Sequence, residues 1–221
     1  MIKSALIIFA REPKDGKVKT RLARDLPVRA VTRLYKAFIR DVLHTALQVS
    51  CAEKFLFYAA GAGSCIPFLR KAAAGFRMKK QAGKDLGERM SQAFAYCQKA
   101  GFQRTVLIGT DCMTLTAKDI KRAFQALGSH DCVLGPAKDG GYYLIAVSRL
   151  CRGIFQGVAW GTPAVFRKTL RKAKKIRKTV FLLPPREDID RFVQLKRFSR
   201  NRRNIKMAPH TRKTLKQLNM R

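Results

Sequence analysis

The sequence predicts a three-layer α/β/α protein built on a mainly parallel β-sheet with helices on both faces. Three observations carry this expectation. Short apolar runs alternate along the chain with longer stretches of helical periodicity, the pattern of strand–helix units laid side by side. The runs Ala5-Leu-Ile-Ile-Phe-Ala10 and Thr105-Val-Leu-Ile108 are apolar throughout, as strands buried on both faces require. A length of 221 residues with 47% hydrophobic content suits one domain, with or without a tail.

The elements follow in order. A first strand over 5–10 runs into a loop at 13–16. Apolar Val31, Leu34, Tyr35, Phe38, Val42 and Leu43 recur at helical spacing and predict a helix over 28–48. A second strand over 54–59, a helix over 64–74 and a short strand over 77–81 come next. A helix over 88–100 precedes the strand at 105–110, and another over 117–127 follows it. Strands are expected at 131–135 and 142–147, a helix at 163–173 and a last strand at 179–183. Beyond Asp190 the chain turns polar and basic, consistent with one or two helices packed at the edge or with a mobile tail. The expected division is a nucleotide-binding and catalytic domain over 1–195 and a basic helical tail over 196–221.

The formal net charge of +33 is the unusual feature of the composition. It implies attraction to polyanions: nucleic acid, acidic lipid or phosphorylated small molecules. From Arg167 onward the only acids are Glu187, Asp188 and Asp190. The six cysteines lack a C-x-x-C pair or a nearby histidine cluster, which argues against structural zinc and for mostly buried, reduced thiols. No apolar run approaches a membrane span, and the first strand is too short for a signal-peptide core, so a cytoplasmic location is expected.

Four segments could carry chemistry. In Thr105-Val-Leu-Ile-Gly-Thr-Asp111, Asp111 follows a buried strand, where open α/β sheets bind ligands. With Gly109 and Thr110 opening the backbone, it suits a divalent metal holding a phosphate; the competing reading is a helix cap before residue 117. Gly16-Lys-Val-Lys-Thr-Arg-Leu22 follows the first strand and offers backbone N–H groups plus Lys17, Lys19 and Arg21 to an anion, or is a solvated basic turn. It lacks the upstream glycine of a Walker A loop. In Gln81-Ala-Gly-Lys-Asp-Leu-Gly-Glu-Arg-Met90, Gly83 and Gly87 permit close backbone approach, with Gly87 a candidate nucleotide contact, and Asp85 can cap the next helix; a simple strand-to-helix connection explains the segment equally well. Gly135-Pro-Ala-Lys-Asp-Gly-Gly-Tyr-Tyr143 joins two strands at the crevice, or is a hairpin turn. At the end of the last strand, Asp188 and Asp190 in extended chain face one way and could supply a second metal ligand, or cap a helix near Arg191. His44, His130 and His210 form no recognisable triad.

Taken together, Phe9-Ala-Arg-Glu-Pro-Lys14, Gly16-Lys-Val-Lys-Thr-Arg-Leu-Ala23, Asp85-Leu-Gly-Glu-Arg-Met90, Ile108-Gly-Thr-Asp-Cys112, Gly135 to Ile145, Trp160-Gly-Thr162 and Asp188-Ile-Asp190 resemble, in order, the bacterial DUF2064 family. That family is described as glycosyltransferases of the GT-A, nucleotide-diphospho-sugar transferase fold, some associated with arsenosugar biosynthesis. The resemblance covers the chain to about residue 195 and extends to guanylyl- and cytidylyltransferases. It implies that Lys19 and Arg21 bind nucleotide phosphates, that Asp111 binds Mg2+ or Mn2+ with Asp190 or Asp188, and that Asp139 lies near the acceptor. Met113 and Arg191-Phe-Val-Gln194 depart from the family pattern. The expected activity is metal-dependent transfer from a nucleotide-diphospho-sugar donor to a small-molecule acceptor. The rivals are nucleotidyl transfer with release of pyrophosphate, and polyanion or nucleic-acid binding through the basic surface.

Overall fold

The computed structural model describes residues 2–61, 66–150 and 152–220. Seven strands form one sheet: β1 (Ser4–Arg11), β2 (Glu53–Ala59), β3 (Arg77–Lys80), β4 (Arg104–Ile108), β5 (Cys132–Pro136), β6 (Tyr142–Val147) and β7 (Val180–Leu182). Their order across the sheet is β3-β2-β1-β4-β6-β5-β7. Every neighbouring pair is parallel except those made by β6, which runs against both β4 and β5. The exception is a matter of connection length. Parallel neighbours need a long crossover, whereas residues 137–141 between β5 and β6 suffice only for a hairpin.

The helices are α1 (Val28–Leu47), α2 (Pro67–Ala72), α3 (Leu86–Lys99), α4 (Ala117–Ala126), α5 (Val165–Lys175), α6 (Phe192–Arg200), α7 (Arg202–Met207) and α8 (Pro209–Gln217). On β1, Leu6, Ile8 and Ala10 enter one core with α1, α2, α4, α6 and α8, while Ala5, Ile7 and Phe9 enter the other with α3 and α5. Both faces of β1 are therefore buried, which is why its sequence does not alternate. The chain steps outward from β1 to β2 and β3, then returns to place β4 on the other side of β1. That reversal splays the loops leaving the carboxyl ends of β1 and β4 and opens a crevice between them.

Local chemistry sets the element boundaries. Helix α3 begins two residues earlier than its apolar periodicity indicates, because the Asp85 carboxylate accepts from the Glu88 N–H at 2.8 Å and caps it. Helix α2 starts at Pro67, a residue suited to a first helical position; the first residues of the helix expected at 64–74 lie outside the described residues. Cys97, Cys112 and Cys132 are buried and Cys51 is exposed; Cys65 and Cys151 are outside the described residues. Among the described residues no helix is long and apolar enough to cross a membrane.

Beyond Asp190 three helices form, where the sequence indicated one or two, and α8 is docked. Asp41 of α1, only 2% exposed, accepts from the His210 N–H (2.9 Å), the Thr211 N–H (2.8 Å) and the Thr211 hydroxyl (2.6 Å). A carboxylate there satisfies free N–H groups at the positive end of α8. Asp41→Ala leaves those donors unpaired and is expected to cost about 3 kcal/mol of stability. Urea denaturation should show the loss, and hydrogen exchange should place the earliest opening in α8.

Candidate active site at the switch point

The loop after β1 is fastened by burial of Val18 and Leu22, at 4% and 0% exposure. Between them Lys19 takes a left-handed backbone, φ 49°, and its carbonyl accepts from the N–H groups of Leu22 and Ala23. A non-glycine residue in that region costs about 1–2 kcal/mol. In this conformation, with Val18 and Leu22 buried on either side, the Lys19 side chain is turned inward, to 4% exposure. There its ammonium lies 2.8 Å from an Asp111 oxygen and 2.8 Å from an Asp190 oxygen. Arg21, half-exposed, stands 3.7 Å from the other Asp190 oxygen.

The carboxylates arrive from two different places. Asp111 leaves the end of β4, and its carbonyl accepts from the Ile189 N–H at 3.0 Å, which ties it to the segment holding Asp188 and Asp190. Neither segment is a helix cap. Thr116 and Asp119 form the capping box of α4, and Gln194 Oε1 accepts from the N–H groups of Asp190 and Arg191 at the start of α6. The cap readings of Asp111, Asp188 and Asp190 are thereby removed, and their side chains are left for the crevice.

Two residues whose part the sequence did not disclose hold this arrangement. The Tyr35 hydroxyl accepts from the Arg11 N–H (3.0 Å) and shares a hydrogen bond with the Thr110 hydroxyl (3.2 Å), bracing the ends of β1 and β4 against each other. Helical spacing marked Tyr35 only as a core position. Arg186 donates to the Thr114 carbonyl and to Asp119 Oδ2, each at 2.6 Å, and so clamps the loop after Asp111 to the segment carrying Asp188 and Asp190. The signal for Arg186 was its place just before Asp188, but among 47 lysines and arginines nothing in sequence separates a clamp from a surface charge.

The charges are mutually adjusted. Burial opposes the Lys19 ammonium, but Asp111 and Asp190 outweigh it and hold its pKa above the ordinary value. Burial likewise opposes ionisation of Asp190, yet Lys19 and Arg21 keep it below the usual carboxylate range. Asp188 differs: burial and the nearby Asp111 push it up to about 7, and its Oδ1 has no hydrogen-bond partner. Burial also raises the Tyr35 hydroxyl.

These groups line a cleft of about 540 Å3, whose far side carries Arg11, Gln81, Lys84 and Arg89. The Gln81 amide is fixed there, its Nε2 donating to the Phe57 carbonyl at 2.9 Å. Of the residues singled out in the sequence, Lys19, Arg21, Thr110, Asp111, Asp188 and Asp190 line the cleft. Lys17 is exposed and lies outside its lining. Gly87 is buried and does not line it either: a Cβ there would lie 2.4 Å from the Trp160 ring, so its lack of a side chain serves packing. Asp139 is exposed and outside the cleft's lining too, its Oδ1 accepting from the Gly141 N–H at 2.9 Å, although its charge is felt at Asp188. Gly140, at φ 90°, presses so closely on Pro163 that a Cβ would overlap its carbonyl. The Asp-Gly-Gly segment is thus a strand-joining turn fixed against Pro163.

The DUF2064 profile, described as "Uncharacterized protein conserved in bacteria", matches residues 42–162, more than half of the sequence. The chain belongs to the DUF2064 family. No curated protein matches it by sequence. A solved structure of a provisionally assigned nucleotide-diphospho-sugar transferase from Desulfovibrio desulfuricans G20 superposes on this DUF2064 chain with a TM-score of 0.85 at 29% identity, covering 98% of each chain. Glucosyl-3-phosphoglycerate synthase from Mycobacterium tuberculosis, in complex with Mn2+, UDP and glucosyl-3-phosphoglycerate, gives 0.53 at 11% identity, covering 97% of this chain and 78% of that one. A CMP:2-keto-3-deoxy-manno-octonic acid synthetase complexed with CTP gives 0.53 at 13%, covering 88% and 96%. The latter two likenesses show the fold alone, which is nucleotide-diphospho-sugar transferase-like.

Proposed function

We propose that this DUF2064 protein transfers a sugar from a nucleotide-diphospho-sugar donor to a small-molecule acceptor in a metal-dependent reaction. The observation that carries the reading is the convergence of Lys19, Asp111 and Asp190 at the switch point, with Arg21 beside them. A diphosphate leaving group needs its developing charge neutralised, and fixed cations in a partly enclosed cleft do that best. Lys19 and Arg21 bind the phosphate oxygens in this reading. The sugar–diphosphate bond breaks, the bond to the acceptor oxygen forms, and Asp139, whose charge is felt at Asp188, takes the acceptor proton.

Among the described residues no three His, Cys, Asp or Glu side chains form a ready-made metal site. The donor set nonetheless fits a hard divalent cation. Asp111 and Asp190 already share one cation, the Lys19 ammonium, and Asp188 offers an unpartnered oxygen in the same cleft. Magnesium commonly takes only one or two carboxylates and completes its shell with water and substrate phosphate. Asp111 and Asp190, with Asp188, would hold it; when bound, it supplies further neutralisation of the diphosphate.

Because Lys19 occupies the space between the two carboxylates, it competes with a metal for them. Lys19→Met is expected to tighten Mn2+ binding in the absence of nucleotide by about tenfold, as read by electron paramagnetic resonance titration, while weakening nucleotide-diphosphate binding. Unchanged or weaker Mn2+ binding would remove Asp111 and Asp190 as a metal pair.

The test of function is a thermal-shift panel of nucleotides and nucleotide-sugars with Mg2+, Mn2+ or EDTA at moderate salt, followed by product analysis. A ligand that binds only the folded protein raises its melting temperature. Metal-dependent stabilisation by one nucleotide-sugar, with release of nucleoside diphosphate, supports the proposal. Release of pyrophosphate from a nucleoside triphosphate replaces it with nucleotidyl transfer.

A further inference from the structure

The net charge of +33 exceeds anything the cleft uses, and both sides of the sheet carry exposed cations: α5 presents five on one side, and a broader set lies on the helices of the other. Helices α1, α2, α6, α7 and α8 all lie over the same core. Each of α1, α6, α7 and α8 presents three exposed Arg or Lys side chains, and α2 presents two. Between them these five helices contain a single acid, Asp41, and it is buried beneath α8. Helices α1 and α8 lie side by side and antiparallel, since Asp41 meets His210 and Thr211 while Arg33 donates to Gln217 at 2.9 Å. Their exposed cations include Arg29, Arg40, Arg212 and Lys213, and α7, with three more, packs on α8. Arg197 of α6 is paired with Glu187; the remaining like charges repel one another, and a bound anion would relieve that repulsion.

We infer that this face binds duplex nucleic acid through its phosphate backbone, independently of the active-site cleft. The 20 residues of α1 span about 30 Å, the length of roughly nine base pairs of duplex. Two observations choose this partner. A membrane-bound face inserts a cluster of large apolar side chains; here α2, α7 and α8 expose none among the described residues, the exposed Val28 and Leu47 stand at opposite ends of α1, and Val193 is the one on α6. Single-strand binding uses open aromatic rings for base stacking, but Phe68 is covered by Lys36 and Arg40, and Phe192 by Lys196. What remains is an array of exposed cations, and guanidinium groups can grip phosphate through paired hydrogen bonds.

The experiment titrates the full chain against a fluorescent 20-base-pair DNA duplex between 50 and 300 mM NaCl. Three variants separate surface from bulk charge. One carries Arg202→Gln, Arg203→Gln, Arg212→Gln and Lys213→Gln. A control carries Lys168→Gln, Arg171→Gln, Lys174→Gln and Lys175→Gln on α5, across the sheet, and removes the same charge. A third, Arg29→Gln with Arg40→Gln, lies on α1 and does not depend on α7 or α8 remaining docked. Each lost phosphate contact lowers the salt slope by about 0.9. The first variant should bind at least tenfold more weakly with a slope reduced by about 3–4, and the third should lose slope in proportion. The α5 control should change less than threefold, and turnover at the cleft should be unaffected in all three. Equal losses in the α7–α8 variant and the α5 control, or no duplex binding at 150 mM NaCl, would overturn the proposal. Displacement of the duplex by phosphatidylserine vesicles at equal phosphate concentration would also overturn it and make an acidic lipid surface the partner.

Discussion

Asp111→Asn is expected to lower turnover by about a hundred- to a thousandfold while leaving the melting temperature nearly unchanged. The contrast follows from how the residue is held. Its side chain is 43% exposed, and the loss of its charge still leaves Lys19 paired with Asp190 at 2.8 Å. An exposed carboxylate in a pair of this kind contributes little to folding. The same charge is one of the two in contact with the Lys19 ammonium, so metal-dependent nucleotide stabilisation should disappear with it. Steady-state kinetics beside a thermal melt check both halves. Retained turnover would remove Asp111 from the site, and loss of folding together with activity would reassign it to structure.

Arg186→Met is the second large effect, and it is expected to act through stability and position together. The guanidinium is largely enclosed, bonded to the Thr114 carbonyl and to Asp119, and lies 6.0 Å from the centre of the Tyr143 ring. Removing it leaves the Asp119 carboxylate with Thr116 as its remaining partner and costs about 2–3 kcal/mol. Burial works against ionisation of Asp119, but the hydrogen bonds from Thr116 and the Arg186 guanidinium hold its carboxyl below the ordinary range. A carboxylate depressed in the folded state stabilises above its unfolded pKa of about 4 and loses that contribution as pH falls through its folded value. The stability gap between the parent protein and Arg186→Met should therefore be constant from pH 8 to about 5 and close progressively below about 4. Urea midpoints across that range read it directly. Because Arg186 positions Asp188 and Asp190 through the backbone, donor affinity should fall even where the variant remains folded; an unchanged donor KM would confine Arg186 to stability.

The two halves of the site were legible to different degrees. Lys19, Arg21, Asp111, Asp188 and Asp190 could be singled out because each lies in a short segment just past an apolar strand, where chain order alone places it near the open end of the sheet. Lys17 and Gly87 carried the same local marks and lie elsewhere. Lys17 differs from Lys19 only in that the buried Val18 and Leu22 turn one inward and leave the other in solvent, a consequence of packing. Gly87 lacks a side chain for the sake of Trp160, which lies 73 positions along the chain and touches it only in the fold. Tyr35 and Arg186 were illegible for the converse reason. Their partners are Arg11 and Thr110 for one, and Thr114 and Asp119 for the other, and no spacing records such pairings.

The sequence by itself determined the class of fold, the run of strands and helices, and the segments that carry chemistry, because period, burial pattern and turn residues are local properties of the chain. Only the tertiary structure decided that β4 lies against β1, that Lys19 sits between Asp111 and Asp190, and that the basic tail folds onto α1 over a single buried carboxylate. Those facts depend on which distant residues meet, and the free energy of meeting belongs to the pair and its surroundings, where neither residue alone displays it.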